Sequence, residues 1–80
     1  MKIAEIETTD KNADHGWRDW LVVHVDMESR YVSIRHDYWS PNSGERKTWQ
    51  DEGSGCAAQY LDELIAALQT ARATLNPEST

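Results

Sequence analysis

Three histidines, one cysteine and several neighbouring carboxylates are the residues of this chain that could do chemistry, and their spacing limits what they can do. His15, His24 and His36 stand nine and twelve residues apart. Zinc sites draw their ligands from short motifs, with two to four residues between cysteines or three to five between histidines. The chain has no such pair, and Cys56 has no second soft ligand near it in sequence. Cys56 lies at or near the start of a predicted helix, where a thiol loses its proton more readily. Nucleophilic catalysis also needs a positioned base and a group to orient that base, and no residue here is marked for either role. The pairs Asp51-Glu52 and Asp62-Glu63 would act as acid and base only if they faced one another across a pocket. As sequence neighbours on a loop and a helix they read as solvated charge. Gly53-Ser54-Gly55 lacks the lysine and the spacing of a phosphate-binding loop. The expectation is no metal, no cofactor and no catalytic centre, with a thiol-dependent enzyme using Cys56 as the enzymatic alternative.

Charge points toward a partner instead. Fourteen Asp and Glu against eight Lys and Arg give the 80 residues a net charge of −6. Nucleic acid and anionic membrane both call for positive surface. The predicted partner is therefore a protein with a basic surface, with no direct contact to nucleic acid or membrane. A secretory leader needs about 7–15 consecutive apolar residues, and a membrane span roughly 20. Residues 1–7 instead carry a charge at nearly every second position, and Leu21-Val22-Val23 is among the longest strongly apolar runs. A soluble, cytoplasmic protein is expected. The single cysteine excludes an intramolecular disulfide, so one small core must hold residues 1–80 together as a single domain.

The elements that must position these side chains are a β-rich first half and one C-terminal helix. Residues 2–9 read as a strand and 10–16 as a polar loop. Residues 17–27 form the clearest strand, with Leu21, Val23, Val25 and Met27 on one face and Trp20, Val22, His24 and Asp26 on the other. Residues 30–39 follow, with Val32, Ile34, His36 and Tyr38 opposed to Tyr31, Ser33, Arg35, Asp37 and Trp39. A turn centred on Glu28-Ser29 pairs Val25 with Val32 and Val23 with Ile34, which gathers the apolar side chains on one face. The reverse face then sets Asp26 beside Tyr31, Val22 beside Arg35 and Trp20 beside Asp37. Ser40-Pro41-Asn42-Ser43-Gly44 is a strong turn signal with Gly44 at the position of positive φ. A three-residue loop there places Lys47 opposite Trp39 and Trp49 opposite Asp37, on the face of Trp20; a two-residue loop reverses this. Residues 46–50 complete a short fourth strand. Residues 57–75 carry an apolar arc of Tyr60, Leu61, Leu64, Ile65, Leu68, Ala71 and Leu75, with Ser54 as a candidate cap and Asn76-Pro77 as a stop. Residues 76–80 form a tail. The predicted fold is α+β: an antiparallel sheet of three or four strands with one amphipathic helix on one face. Its core is predicted as Leu21, Val23, Val25, Val32, Ile34, Leu61, Leu64, Ile65 and Leu68.

Four tryptophans and no phenylalanine are the unusual feature of the composition. One helix covers one face of a sheet, so the other face is predicted to present Trp20, Tyr31, Arg35 and Trp39 together with Trp49. Aromatic rings with an interleaved arginine are typical of interface hot spots. Asp51 and Glu52 flank that face as acidic rim residues. The predicted partner-binding set is thus Trp20, Tyr31, Arg35, Trp39, Trp49, Asp51 and Glu52. The alternative is that the rings pack on one another or under the 10–16 loop and finish a thin core. An aromatic face or an unpaired strand would equally serve a homodimer. In its strands-then-helix layout, small size and acidity, the chain resembles small accessory proteins of phages and mobile elements, including some anti-CRISPR proteins. That resemblance implies an inhibitor occupying a basic, nucleic-acid-handling surface of a host defence complex. Antitoxins and regulatory subunits share the same layout.

Overall fold

The computed structural model describes residues 1–10, 16–49 and 57–77. Four strands, β1 (Lys2–Glu7), β2 (Arg18–Asp26), β3 (Tyr31–Trp39) and β4 (Arg46–Thr48), form one antiparallel sheet in sequential order. A single 3₁₀ turn, Ala58–Tyr60, leads into the helix α1 (Leu61–Leu75). This is the predicted α+β arrangement, with the helix laid against β1 and β2. No helix among the described residues is long and apolar enough to cross a membrane.

The central hairpin has the expected register: Val25 pairs with Val32, Val23 with Ile34, Val22 with Arg35 and Trp20 with Asp37. Asp26 fixes its turn, because Oδ1 accepts the backbone N–H groups of Glu28 at 3.0 Å and Ser29 at 3.3 Å. Those bonds favour the ionised form and hold the Asp26 carboxyl below its ordinary value, the Ser29 N–H contributing most. The turn closes with Arg30 at φ +58°, and Met27, expected on the apolar face, falls in the turn and stands exposed. On β1 an extra residue is inserted between Lys2 and Ala4. Such a bulge turns neighbouring side chains to the same side, and both Ile3 and Ala4 pack toward the helix.

Two expectations are corrected. The β3–β4 connection spans 40–45, so Lys47 pairs with Tyr38 and Arg46 with Trp39. This is one residue out of the predicted register, and in a sheet a shift of one exchanges the faces. Trp49 therefore leaves the Trp20 side and packs on Tyr38 at 4.5 Å between ring centres. Gly44 does take positive φ, at +67°. The second correction is the roll of α1. Its innermost residues are Ala67 and Ala71, packed with Val23 and Val25, while Leu64 and Leu75 fill the margin. Leu61, Ile65 and Leu68, expected in the core, are 45%, 51% and 37% exposed. The i, i+4 pair of alanines lets the helix backbone approach the sheet closely, and the larger side chains of the arc rotate outward.

Candidate binding surfaces

The helix-free face of the sheet carries Trp20, Val22, Arg35, Asp37, Trp39, Arg46 and Thr48 by strand alternation. It is a charged lattice rather than an open aromatic platform. Trp20 is buried, contrary to its expected role as an exposed anchor. Two guanidinium groups cover its ring, Arg46 at 4.1 Å and Arg18 at 4.9 Å from the centroid. Arginine stacks this way because its planar, weakly hydrated cation is drawn to the negative ring face while its stem covers apolar surface.

Arg46 also ties the sheet edges together. From β4 its Nε donates to Asp37 Oδ2 on β3 at 3.1 Å, and its Nη2 reaches Glu5 on β1. Asp37 is buried and takes a second bond, from the Thr48 hydroxyl to Oδ1 at 2.7 Å. Arg18 pairs with Glu7 at 2.5 Å and Lys2 with Glu5 at 3.5 Å. The Arg46 bond holds the Glu5 carboxyl below its ordinary value and, in return, raises the Arg46 guanidinium. Beside this lattice lies His24, whose Nε2 is buried without a hydrogen-bond partner. Burial pushes its pKa down, and the Arg35 charge adds to the effect.

The predicted binding residues thus separate. Tyr31, Arg35 and Trp39 share the helix-free face; Tyr31 is two-thirds exposed, Arg35 exposed and Trp39 half-buried. Trp20 lies beneath arginines on that face. Trp49 is on the other side, where Tyr38 lies between it and Trp17, the latter stacked at 5.6 Å. Asp51 and Glu52 lie outside the described residues, as do Cys56, His15, Ser54 and the Gly53-Ser54-Gly55 segment. Asp62 and Glu63 are exposed on the first turn of α1, and no ion pair among the described residues uses them. No group of three or more metal-ligating side chains occurs among the described residues.

The surface that sequence reasoning missed is the outward side of α1. Leu61, Ile65 and Leu68 form an exposed apolar stripe, and a shallow groove beside them is lined by Ile65, Leu68, Gln69 and Arg72. The signal was present in Ala67 and Ala71: when small residues occupy one side of a broad apolar arc, close helix approach favours that side. Arg46 was also missed. Its meaning depends on Glu5 and Asp37, which the chain brings together only through the whole sheet.

Comparison with protein-family models, with curated proteins and with solved structures finds no match to this chain.

Proposed function

We propose that the chain is a non-enzymatic protein-binding module that acts by occupying a basic surface of a partner, as an inhibitor does. The observation that carries this reading is the stripe of Leu61, Ile65 and Leu68, three large apolar side chains left exposed in line on a helix anchored by its other side. Contiguous exposed apolar surface of this kind is characteristic of interaction sites. The unpaired acids of the same helix, Asp62 and Glu63, and a net charge of −6 set the sign of the partner. On the helix-free face the cations Arg18, Arg35 and Arg46 are engaged with carboxylates of the same chain, which supports α1 over that face as the anchor.

The test is capture of a partner by the tagged chain, identified by mass spectrometry, and repetition with Ile65→Asp/Leu68→Asp. Loss of capture by a variant whose circular dichroism and melt match the parent supports the reading. Undiminished capture by that folded variant refutes it.

A further inference from the structure

We propose that the outer edge of β1, where α1 overhangs it, receives an extended basic segment of another protein as a fifth strand of the sheet. The site is separate from the stripe of Leu61, Ile65 and Leu68 and does not rest on it. Among the described residues β1 is an outer strand, paired on one side alone. Its bond pattern shows which main-chain groups are left over. The Thr8 N–H donates to the Asp19 carbonyl at 2.8 Å, and bonded pairs alternate along an antiparallel ladder. Ile6–Leu21 and Ala4–Val23 are therefore the other bonded pairs, and Glu5 turns its N–H and C=O away from β2, toward the open edge. Such an edge is a template for strand addition. The bulge between Lys2 and Ala4 ends the regular ladder, so pairing is confined to residues 4–7.

Helix α1 supplies a wall over the same edge. Glu63, Ala66, Ala67 and Thr70 fall within about 100° of the helix circumference and, with Ala4 and Ile6, line a cleft of about 340 Å³. An added strand lies about 4.8 Å beyond β1, and alternate side chains of it rise into this cleft. Ala66 and Thr70 are small and exposed, which leaves room for an apolar side chain of modest size. Glu63 has no ion-pair partner among the described residues and calls for a cation. Arg30 ties the end of α1 to the β2–β3 turn, beside which β1 begins at the Met1–Val25 contact. The helix therefore runs antiparallel to β1, and Glu63 overhangs the Ile6 end. A strand entering antiparallel to β1, the slightly more stable pairing, meets Glu63 first and Ala66 and Thr70 after it. The segment that fits carries Lys or Arg at one helix-facing position and a small apolar residue two positions on. A second copy of this chain offering its own β1 fits poorly. In the regular stretch a two-fold would set Glu5 opposite Glu5 or Glu7, and like charges directly opposite are destabilising.

The probe is the acetylated and amidated peptide Thr-Lys-Thr-Val-Thr, titrated to millimolar concentration into the full chain labelled with nitrogen-15. Amide shifts confined to residues 4–7 and 63–70 are expected, together with slowed hydrogen exchange at the Glu5 amide as it gains a main-chain acceptor. Glu63→Lys should weaken binding about fivefold, and a peptide with Glu in place of Lys should regain it. Glu63 is exposed, so this variant keeps the fold and reports the contact alone. Ile65→Asp/Leu68→Asp should bind the peptide as the parent does, so failure of this site and failure of the stripe reading are told apart. Absence of shifts at millimolar peptide overturns the proposal, as do shifts without protection of Glu5, a charge exchange that restores nothing, or binding lost with the stripe. Protection of Glu5 that grows with protein concentration alone assigns the edge to a second copy and overturns it too.

Discussion

The guanidinium of Arg46, on the last strand, lies 4.1 Å from the centre of the Trp20 ring on the second strand and shields it from solvent. Four strands meet at this contact, because the same guanidinium bonds Asp37 on β3 and Glu5 on β1. A surface arginine thereby acts as the lid of a core residue.

Removing either partner should loosen the sheet, by different amounts. Trp20→Ala deletes a buried aromatic and is expected to cost about 3–5 kcal/mol. Arg46→Lys keeps the charge but loses the planar fork and its stacking, and should cost about 1 kcal/mol. Urea denaturation followed by far-ultraviolet circular dichroism measures both. Equal stability of Trp20→Ala and the parent would show that the ring is not structural.

The roll of α1 makes a prediction opposite to the one its leucine pattern suggests. Ile65→Ala should change stability at micromolar concentration by less than about 0.5 kcal/mol, the range of ordinary surface positions. Ala71→Leu, although it adds apolar surface, should destabilise by about 1–3 kcal/mol because it forces the helix off Val23 and Val25. A melt in which Ile65→Ala is the more damaging would return Ile65 to the core.

These contrasts show what was legible in the residues and why the rest was not. The hairpin register could be read because each strand alternates, and a slip between Val23–Val25 and Val32–Ile34 would have mixed the faces. Strand β4 is three residues long and has no alternation of its own, so its pairing depended on a loop length that Ser40 to Glu45 do not encode. The helix roll depended on how closely two alanines could approach the sheet, which periodicity does not weigh. The binding residues assigned to the tryptophan face shared a further difficulty. Whether Trp20 is bare or covered is decided by Arg18 and Arg46, which stand on β2 itself and on β4.

Lowering the pH should weaken the fold in two separate ranges. His24 has a depressed folded-state pKa because its ring is buried. The unfolded chain therefore takes up a proton that the folded chain refuses, and stability falls as pH drops below the ordinary histidine value of 6.5. Glu5 is also depressed, through its bond to Arg46. Its contribution is present above the unfolded value of 4.5 and is lost as pH falls from there through the lower folded value. Urea midpoints measured against pH should show both limbs. His24→Phe should flatten the upper limb, and Glu5→Gln should reduce the lower, where the depressed Asp26 carboxyl also contributes, each leaving the other in place.

Arg30 combines an unfavourable backbone with a useful side chain, and two substitutions separate the terms. At φ +58° it occupies the left-handed region, which costs a residue with a Cβ roughly 1–2 kcal/mol. In return its Nη2 donates to the Leu75 carbonyl at 3.2 Å and to the side chain of Asn76. The hairpin turn is thereby fastened to the last turn of α1, where a cation also favours the helix dipole. Arg30→Ala keeps the backbone cost and loses the tether, so it should be less stable than the parent. Arg30→Gly loses the tether but removes the backbone cost, so it should exceed Arg30→Ala by about 1 kcal/mol. Hydrogen exchange at the end of α1 should quicken equally in both variants, because the tether is absent from each. If the glycine variant proves no more stable than the alanine variant, the turn does not carry the backbone cost assigned to it.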